Sequence, residues 1–422
     1  MRTRPLHLVA AITISPLCAS AAIAQEDFFT RDRYVAVKDR QQPEFDPVEG
    51  RVGSFRFQPE LALSGNYISN VFATEDNEVD DFALGLAPRV SFQSDWSRHE
   101  VGGVVSVDHR EYIDVDSETR TNYRASANSR IDVTRKFDVG LNARYEDLAE
   151  PRSAAEATQG SVEPVDYEIT GLGASANYET GRVRISGELT ASEADYDDVR
   201  LVSGVLADQD FRDREELDGR LRFAYAPARD WAVFTQFVGR DSDGTTTFGP
   251  GGVNRDFETT AYQVGVDFEL ASLLRGDVAV GFENAEFADP GAADEEGLSI
   301  DGQVEWFATQ LTTVAARAYR RTEAGGLVDS AGRTVGAFEV GVDYELRRNI
   351  ILSADANFAN FDFLQTDRED DRMILSASAA YKLNKNAHVE VGYQLIDQNS
   401  SGLAADADFT DNSVFLGIRL YP

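Results

Sequence analysis

Cysteine, histidine and long apolar runs are all scarce in this chain of 422 residues, which has one cysteine, four histidines and two methionines. After the first 24 residues, no stretch approaches the roughly 18 consecutive apolar residues that indicate a membrane-spanning helix. The chain is therefore not a helical membrane protein. Cys18 lies in a segment that we predict to be removed, so disulfide and thiolate chemistry are excluded from the mature chain.

Positive charge is also in short supply. The chain has 40 Lys and Arg residues against 73 Asp and Glu residues, a formal net charge of −33. Such an acidic chain would repel the phosphates of nucleic acid, so we expect no nucleic-acid partner. The mean hydropathy of −0.34 is low, but a barrel strand that hides only every second side chain in lipid gives the same average.

The first 24 residues have the pattern of a cleaved secretory signal. Arg2 and Arg4 precede an apolar run from Leu6 to Cys18, and Ala22-Ile23-Ala24 supplies a small-x-small cleavage site before Gln25. The run is too short for a membrane span, which needs about 20 residues. Residues 25–50, which are polar and charged, form a predicted periplasmic N-terminal segment that is too short for a large plug.

From about residue 51 to Pro422, apolar and polar side chains alternate with a period of two. Between Phe82 and Trp96, even positions are mostly apolar and odd positions are mostly small or polar. A period of two indicates strands with two different faces, whereas helices repeat at three and four. The same alternation recurs at residues 137–146, 262–270, 337–346, 388–395 and 414–421.

Short and long connections alternate along these segments. The short ones are Thr134–Lys136, Thr180–Arg182, Leu346–Asn349 and Leu383–Asn386, and the longest are the acidic stretches Asp147–Asp166 and Glu193–Glu215. Outer-membrane barrels have short periplasmic turns and longer extracellular loops. We predict an all-β fold for residues 51–422, a transmembrane antiparallel up-and-down barrel of about 18 strands, with 16 to 20 acceptable. A soluble β-sandwich would not explain the alternating loop lengths.

Tyrosines lie near the predicted strand ends, where an aromatic girdle would meet the membrane boundary. The six predicted girdle residues are Tyr145, Tyr178, Tyr225, Tyr344, Tyr381 and Tyr421.

The inward positions carry both charges. The predicted lumen-lining residues are Arg56, Glu60, Arg89, Arg144, Arg184, Asp267, Glu269, Glu339, Asp343, Glu345 and Asp355. A barrel of this width is too wide to fill with side chains, so we expect a water-filled or loop-plugged lumen. The acidic sector formed by Asp267, Glu269, Glu339, Asp343 and Glu345 favours cations or neutral sugars. Whether the two long loops enter the lumen stays open.

No motif for catalysis, cofactor binding or metal binding is found. His99, His109 and His388 have no serine and carboxylate at a spacing typical of hydrolases. The aspartate-rich loops lack the calcium-loop spacing, and we interpret them as solvated surface. We therefore predict no enzyme activity, no catalytic residue, no metal and no cofactor, and keep a barrel enzyme or an adhesin as the less favoured class.

The segment from Phe55 to Glu100 resembles a known family. Its motifs are Phe57-Gln58-Pro59, then Gly65 to Phe72, then Asp81 to His99 with a mid-strand proline and a Trp-x-Arg turn. They are similar to those of the β-barrel porin 2 family of Gram-negative bacteria, often linked to exopolysaccharide production. The Tyr421-Pro422 end departs from the usual terminal aromatic.

The resemblance implies an outer-membrane pore of a Gram-negative bacterium. Export of an exopolysaccharide is the most specific expectation, and diffusion of small hydrophilic solutes is the alternative. The expected partners are outer-membrane lipid, lipopolysaccharide, polysaccharide or small polar solutes, and an export partner in the periplasm. The resemblance identifies no substrate-binding residue.

Overall fold

The computed structural model describes residues 28–422 except for 33, 246–252, 272 and 329. The predicted signal peptide, residues 1–24, and Cys18 lie outside the described residues. Among those described, no helix has the length and hydrophobicity needed to cross a membrane. The long strands are β1 Phe55–Ile68, β2 Asp81–Ser94, β3 Glu100–Tyr112, β4 Arg120–Thr134, β5 Phe137–Ala149, β6 Asp166–Thr180, β7 Val183–Tyr196, β8 Arg214–Ala228, β9 Trp231–Gly244, β10 Phe257–Leu270, β11 Leu274–Phe287, β12 Glu295–Thr309, β13 Thr312–Ala324, β14 Gly332–Arg347, β15 Ile350–Phe363, β16 Glu369–Asn384, β17 Ala387–Ser401 and β18 Phe409–Leu420.

These 18 strands form one closed antiparallel barrel. Each strand pairs with its neighbours in the chain, and β18 closes the ring by pairing with β1, with Leu420 opposite Leu61. Closure satisfies the backbone hydrogen bonds without a free edge, as a spanning sheet requires in lipid. The short strand Gly50–Val52 pairs with Phe55–Phe57, at the end of β1 that β18 does not reach. The predicted fold class and strand number are confirmed.

The two faces of the sheet differ as the alternation predicted. Apolar side chains on one face are exposed, including Leu84, Leu172 and Phe282 with exposed fractions of 50%, 68% and 77%. In a membrane barrel this outer face contacts lipid. The residues that flank Leu172 and Phe282 in the chain point inward, because side chains alternate along a strand, and they are small or polar.

Most of the predicted girdle tyrosines lie on the outer face. Tyr178, Tyr225, Tyr344 and Tyr381 are exposed near the ends of strands that lead into short turns. Tyr421 was predicted wrongly, because it is only 7% exposed and lies against the ring of His388. It shares the inward parity of Arg419 and follows the end of β18.

The connections alternate in length as predicted. Two-residue turns such as Arg135–Lys136 and Gly181–Arg182 lie at the end of the barrel that we call periplasmic. Gly181 has a φ of +58°, a conformation that tight hairpin turns need and that glycine adopts without strain. The two longest extracellular loops cover residues 150–165 and 197–213, shorter than predicted because β5 and β7 continue outward to Ala149 and Tyr196.

Candidate functional site: the lumen and its two openings

The strand register places all eleven predicted lumen residues on the face opposite the exposed apolar side chains. Glu60 lies opposite Arg89 across β1 and β2, for example, while Leu61 and Pro88 take the outer parity. That the shared face is the concave one follows from an ion pair that crosses several strands. The Arg220 guanidinium on β8 lies 3.7 Å from the Asp301 carboxylate on β12. The role of these residues in conduction stays a prediction.

An N-terminal segment lines the periplasmic opening from inside. The described residues of the segment 28–49, which we call the inner strap, contact the periplasmic ends of successive strands in chain order. The guanidinium of Arg184, at the start of β7, lies 4.4 Å from the centre of the Phe29 ring. Further along, the Val37 amide donates to Thr313 Oγ1 at 3.1 Å. Near its end, the Phe45 carbonyl lies 3.1 Å from the His388 ring nitrogen on β17.

Two aromatic rings anchor the start of the strap. Phe28 and Phe29 are 9% and 4% exposed and belong to one buried apolar cluster. The wall residues of this cluster are Ala224, Ala226, Ala232, Phe234 and Ala279. Burying an aromatic side chain contributes about 1.5–3 kcal/mol, so the anchor is apolar and independent of the charges that follow.

The first half of the strap is basic and lies on the predicted acidic sector. Its ion pairs join Arg31 Nε to Asp267 at 3.1 Å, Lys38 Nζ to Asp343 at 2.8 Å and Arg40 Nη1 to Glu345 at 2.9 Å. Three of the five carboxylates of that sector therefore have a cation from the strap as counter-charge. Sequence reasoning missed this contact because the partners are separated by more than 200 residues along the chain.

The second half of the strap is acidic and lies on basic wall residues. Asp46 forms an ion pair with Lys382 at 3.3 Å, and Glu49 forms one with Arg56 at 3.3 Å. The sign of the charge on the strap thus reverses where the sign of the wall reverses. The charges of the strap and of the wall are therefore complementary along its length.

Other predicted lumen residues contact neighbouring side chains of the wall. The Glu60 carboxylate lies 3.2 Å from Arg419 Nε, and the Glu339 carboxylate accepts from Asn357 at 3.2 Å. Glu269 is 1% exposed and lies opposite Arg275 in the register.

Two further charged side chains lie flat on the wall over glycines. Arg144 lies over Gly171, where a Cβ would come within 2.8 Å of the guanidine nitrogen. Asp355 lies over Gly341 in the same way, with a carboxylate oxygen 2.5 Å from the position of a Cβ.

At the extracellular opening, the loop at residues 150–165 crosses the mouth of the barrel. We call it the crossing loop. It leaves the wall between β5 and β6, yet the Glu156 carboxylate reaches Arg333 Nη1 on β14 at 3.1 Å and accepts from the Gly326 amide at 2.7 Å. These partners lie eight strands away around a wall of 18 strands, which is close to the opposite side. A barrel of this size is on the order of 30 Å across.

Three arginines join the crossing loop to other loops: Arg368 and Arg212 belong to those loops, and Arg152 belongs to the crossing loop. Arg368 Nη2 donates to the Ala155 carbonyl at 2.7 Å and pairs with Asp370 at 2.6 Å. The other two ion pairs are Arg212 with Glu150 at 2.6 Å and Arg152 with Glu118 at 2.7 Å. The side chains of all three arginines are less than 10% exposed. The sequence signal that could have indicated these contacts is the presence of arginine in otherwise acidic loops.

A cavity of about 410 Å³ opens beside the crossing loop. Its lining comes from five loops and includes Thr158, Gln209, Phe211, Val328 and Asp406.

One group of carboxylates in the loop at 197–213 could hold a metal ion. Asp198, Asp208 and Asp210 are exposed, and ligand oxygens of the three lie within 4.8 Å of one another. Repulsion from Asp208 raises the pKa of Asp210. Exposed acidic groups of this kind are common on acidic surfaces, so the geometry alone assigns no metal here.

Comparison with known proteins gives one clear match. The family model described as "Putative beta-barrel porin 2" matches residues 42–421. No curated protein matches the sequence.

Solved structures show low similarity to this chain. The siderophore receptor PirA from Acinetobacter baumannii is 7% identical, with a TM-score of 0.46 over 86% of this chain and 80% of that one. OccK2 from Pseudomonas aeruginosa, in complex with glucuronate, is 8% identical, with a TM-score of 0.45 over 86% and 98%. OccK9 from the same organism is 14% identical, with a TM-score of 0.44 over 87% and 98%.

Proposed function

Because this chain belongs to the β-barrel porin 2 family, which matches residues 42–421, we propose that it is a restricted outer-membrane channel for small polar solutes. The family and the closed 18-strand barrel make it an outer-membrane pore. Our proposal adds the class of solute and the restriction. We also propose that residues 1–24 are removed as a signal peptide and that lipid and lipopolysaccharide cover the outer face.

The observation that carries this proposal is the crossing loop. It extends from one wall to the opposite one, where Glu156 pairs with Arg333 and the Ala155 carbonyl accepts from Arg368. The start of the loop is held by two buried ion pairs, Glu150 with Arg212 and Arg152 with Glu118. Replacing one partner of a buried pair typically costs about 3–5 kcal/mol because the other charge is left unpaired. A loop held this firmly leaves part of the mouth open to a small solute but obstructs a bulky one.

Export of an exopolysaccharide is the competing function, implied by the family resemblance. A polymer chain in transit would need a continuous path past both the crossing loop and the inner strap. The buried ion pairs oppose that movement, so we favour small solutes. A polar, mixed-charge lumen suits either cargo.

The test is single-channel conductance of the refolded chain from Gln25 to Pro422 in planar bilayers. Neutral and acidic oligosaccharides of increasing length are added to each side in turn. We expect a persistent conductance and passage of small sugars, with little block by long oligosaccharides because they cannot enter.

A channel that stays closed until a long oligosaccharide is added from the periplasmic side would instead support polymer export. Complete absence of conductance from a correctly folded barrel would contradict both channel functions and favour an adhesin. Hydrolysis of the added sugars would indicate a barrel enzyme.

A further inference from the structure

We propose that the inner strap determines the ion selectivity of the periplasmic opening. Its basic half, with Arg31, Lys38 and Arg40, neutralises carboxylates of the wall that would otherwise attract cations. Its acidic half, with Asp46 and Glu49, neutralises wall cations. This inference rests on the proposed channel function, and it names the residues that set the charge preference of that channel.

The first step of the argument is the geometry of the ion pairs. Lys38 and Arg40 pair with Asp343 and Glu345, which lie on one strand at the periplasmic end of β14. The side chains of Lys38 and Arg40 are 27% and 34% exposed, so these pairs border the open space of the channel mouth. Charges at such a boundary act on ions that pass through it.

The second step concerns attachment, which has a large part that does not depend on these charges, although Arg31 Nη1 also donates to the carbonyls of Phe28 and Arg229. Phe28 and Phe29 are buried on the wall, and the Val37 amide bonds to Thr313. Arg275 Nη1 also donates to the carbonyls of Arg31 and Tyr34, at 3.1 Å and 3.2 Å. Backbone and apolar contacts therefore hold the strap when its charged side chains are replaced by neutral ones of similar size.

The third step is the reversal of charge along the strap. If the strap were only a structural cover, loss of charge in either half would change the channel in the same way. If its charges set selectivity, the two halves act in opposite directions. Neutralising the basic half leaves wall carboxylates unpaired, whereas neutralising the acidic half leaves Lys382 and Arg56 unpaired.

The experiment measures the permeability ratio of potassium to chloride from reversal potentials across a salt gradient. The basic-half variant carries Arg31→Gln, Lys38→Gln and Arg40→Gln, and the acidic-half variant carries Asp46→Asn and Glu49→Gln. We expect the ratio to rise about twofold in the first and to fall in the second. Both shifts should shrink in molar salt, where the screening length is only about 3 Å.

A wall variant keeps the test valid if the basic-half variant does not fold. Asp267→Asn, Asp343→Asn and Glu345→Gln leave the strap unchanged and should lower the potassium preference. Combining these three changes with the basic-half variant removes both partners of each pair, so the ratio should return towards that of the unaltered chain.

The outcomes separate this inference from the channel proposal. An unaltered chain without conductance contradicts the channel function itself. A conducting chain whose two half-strap variants shift the ratio in the same direction, or leave it unchanged, overturns the role of the strap charges while the channel proposal stands.

Discussion

At the scale of single residues, Asp213 is a carboxyl group that should respond to mild acid. It lies at the end of the loop at 197–213, where its carboxylate accepts from the Tyr196 amide at 2.7 Å. Burial raises the pKa of Asp213 from 3.8 to about 6, with nearby Asp195, Asp208 and Asp210 acting in the same direction. The folded loop therefore binds this proton more tightly than the opened loop does.

The sign of the pH dependence follows from that raised pKa. The contribution of Asp213 to loop stability is fully present below about pH 4 and is lost as the pH rises through about 6. We expect the amides of the loop to be better protected from hydrogen exchange at pH 5 than at pH 7.5, after correction for intrinsic rates. Asp213→Asn keeps an acceptor for the Tyr196 amide and should remove the difference. A variant with the same pH dependence as the unaltered chain would contradict this assignment.

At the scale of elements, the crossing loop depends on a few charged contacts at its far end. Glu156 joins it to Arg333 and to the Gly326 amide, on the opposite side of the barrel. Nothing local in the loop sequence defines that position, because both partners belong to strands and loops far along the chain. The element is therefore positioned by its tertiary contacts.

Glu156→Gln should loosen the crossing loop and widen the extracellular mouth. The neutral amide loses the ion pair with Arg333, and we expect a conductance about twofold larger and faster entry of larger sugars into liposomes. Glu163→Gln is the matched control, because Glu163 is an exposed residue of the same loop. Equal conductance in the Glu156 variant and the control would show that this contact does not restrict the mouth.

At the scale of the whole molecule, the barrel and its strap contribute separately to stability. The 18 strands close through hydrogen bonds between β1 and β18, and Gly50–Val52 pairs with the first residues of β1. None of these pairings involves residues 28–49. The barrel should thus assemble without the strap.

Deletion of residues 28–49 should leave a barrel that keeps its β-sheet circular dichroism and its resistance to unheated detergent. The reason is that each strand retains both neighbours, while the deletion removes only the inner layer at one opening. Gel mobility before and after heating measures this, with the full chain as reference. Loss of the heat-dependent mobility shift would mean that the strap is needed for closure.

The sequence by itself determined the barrel. The alternation of side chains shows which positions share a face of the sheet, and the lengths of the connections show which end of the barrel each connection belongs to. The segment from Phe82 to Trp96 and the turns at Arg135 and Gly181 illustrate this, and the strand number follows from counting such segments. The inward parity of the eleven lumen residues was also predictable, since a period of two assigns a face without knowledge of neighbours. Tyr421 was wrongly included in the girdle, because it lies just past β18 with the inward parity of Arg419 and packs against His388.

Only the tertiary structure decided what fills the two openings. The pairs of Arg31 with Asp267 and of Glu156 with Arg333 join residues that are far apart in the chain. No periodicity or local motif encodes such a contact, because it depends on ring closure bringing distant strands to the same height. The sequence indicated the acidic sector as a set of carboxylates, but its neutralisation by the strap depends on where the inner strap lies inside the barrel.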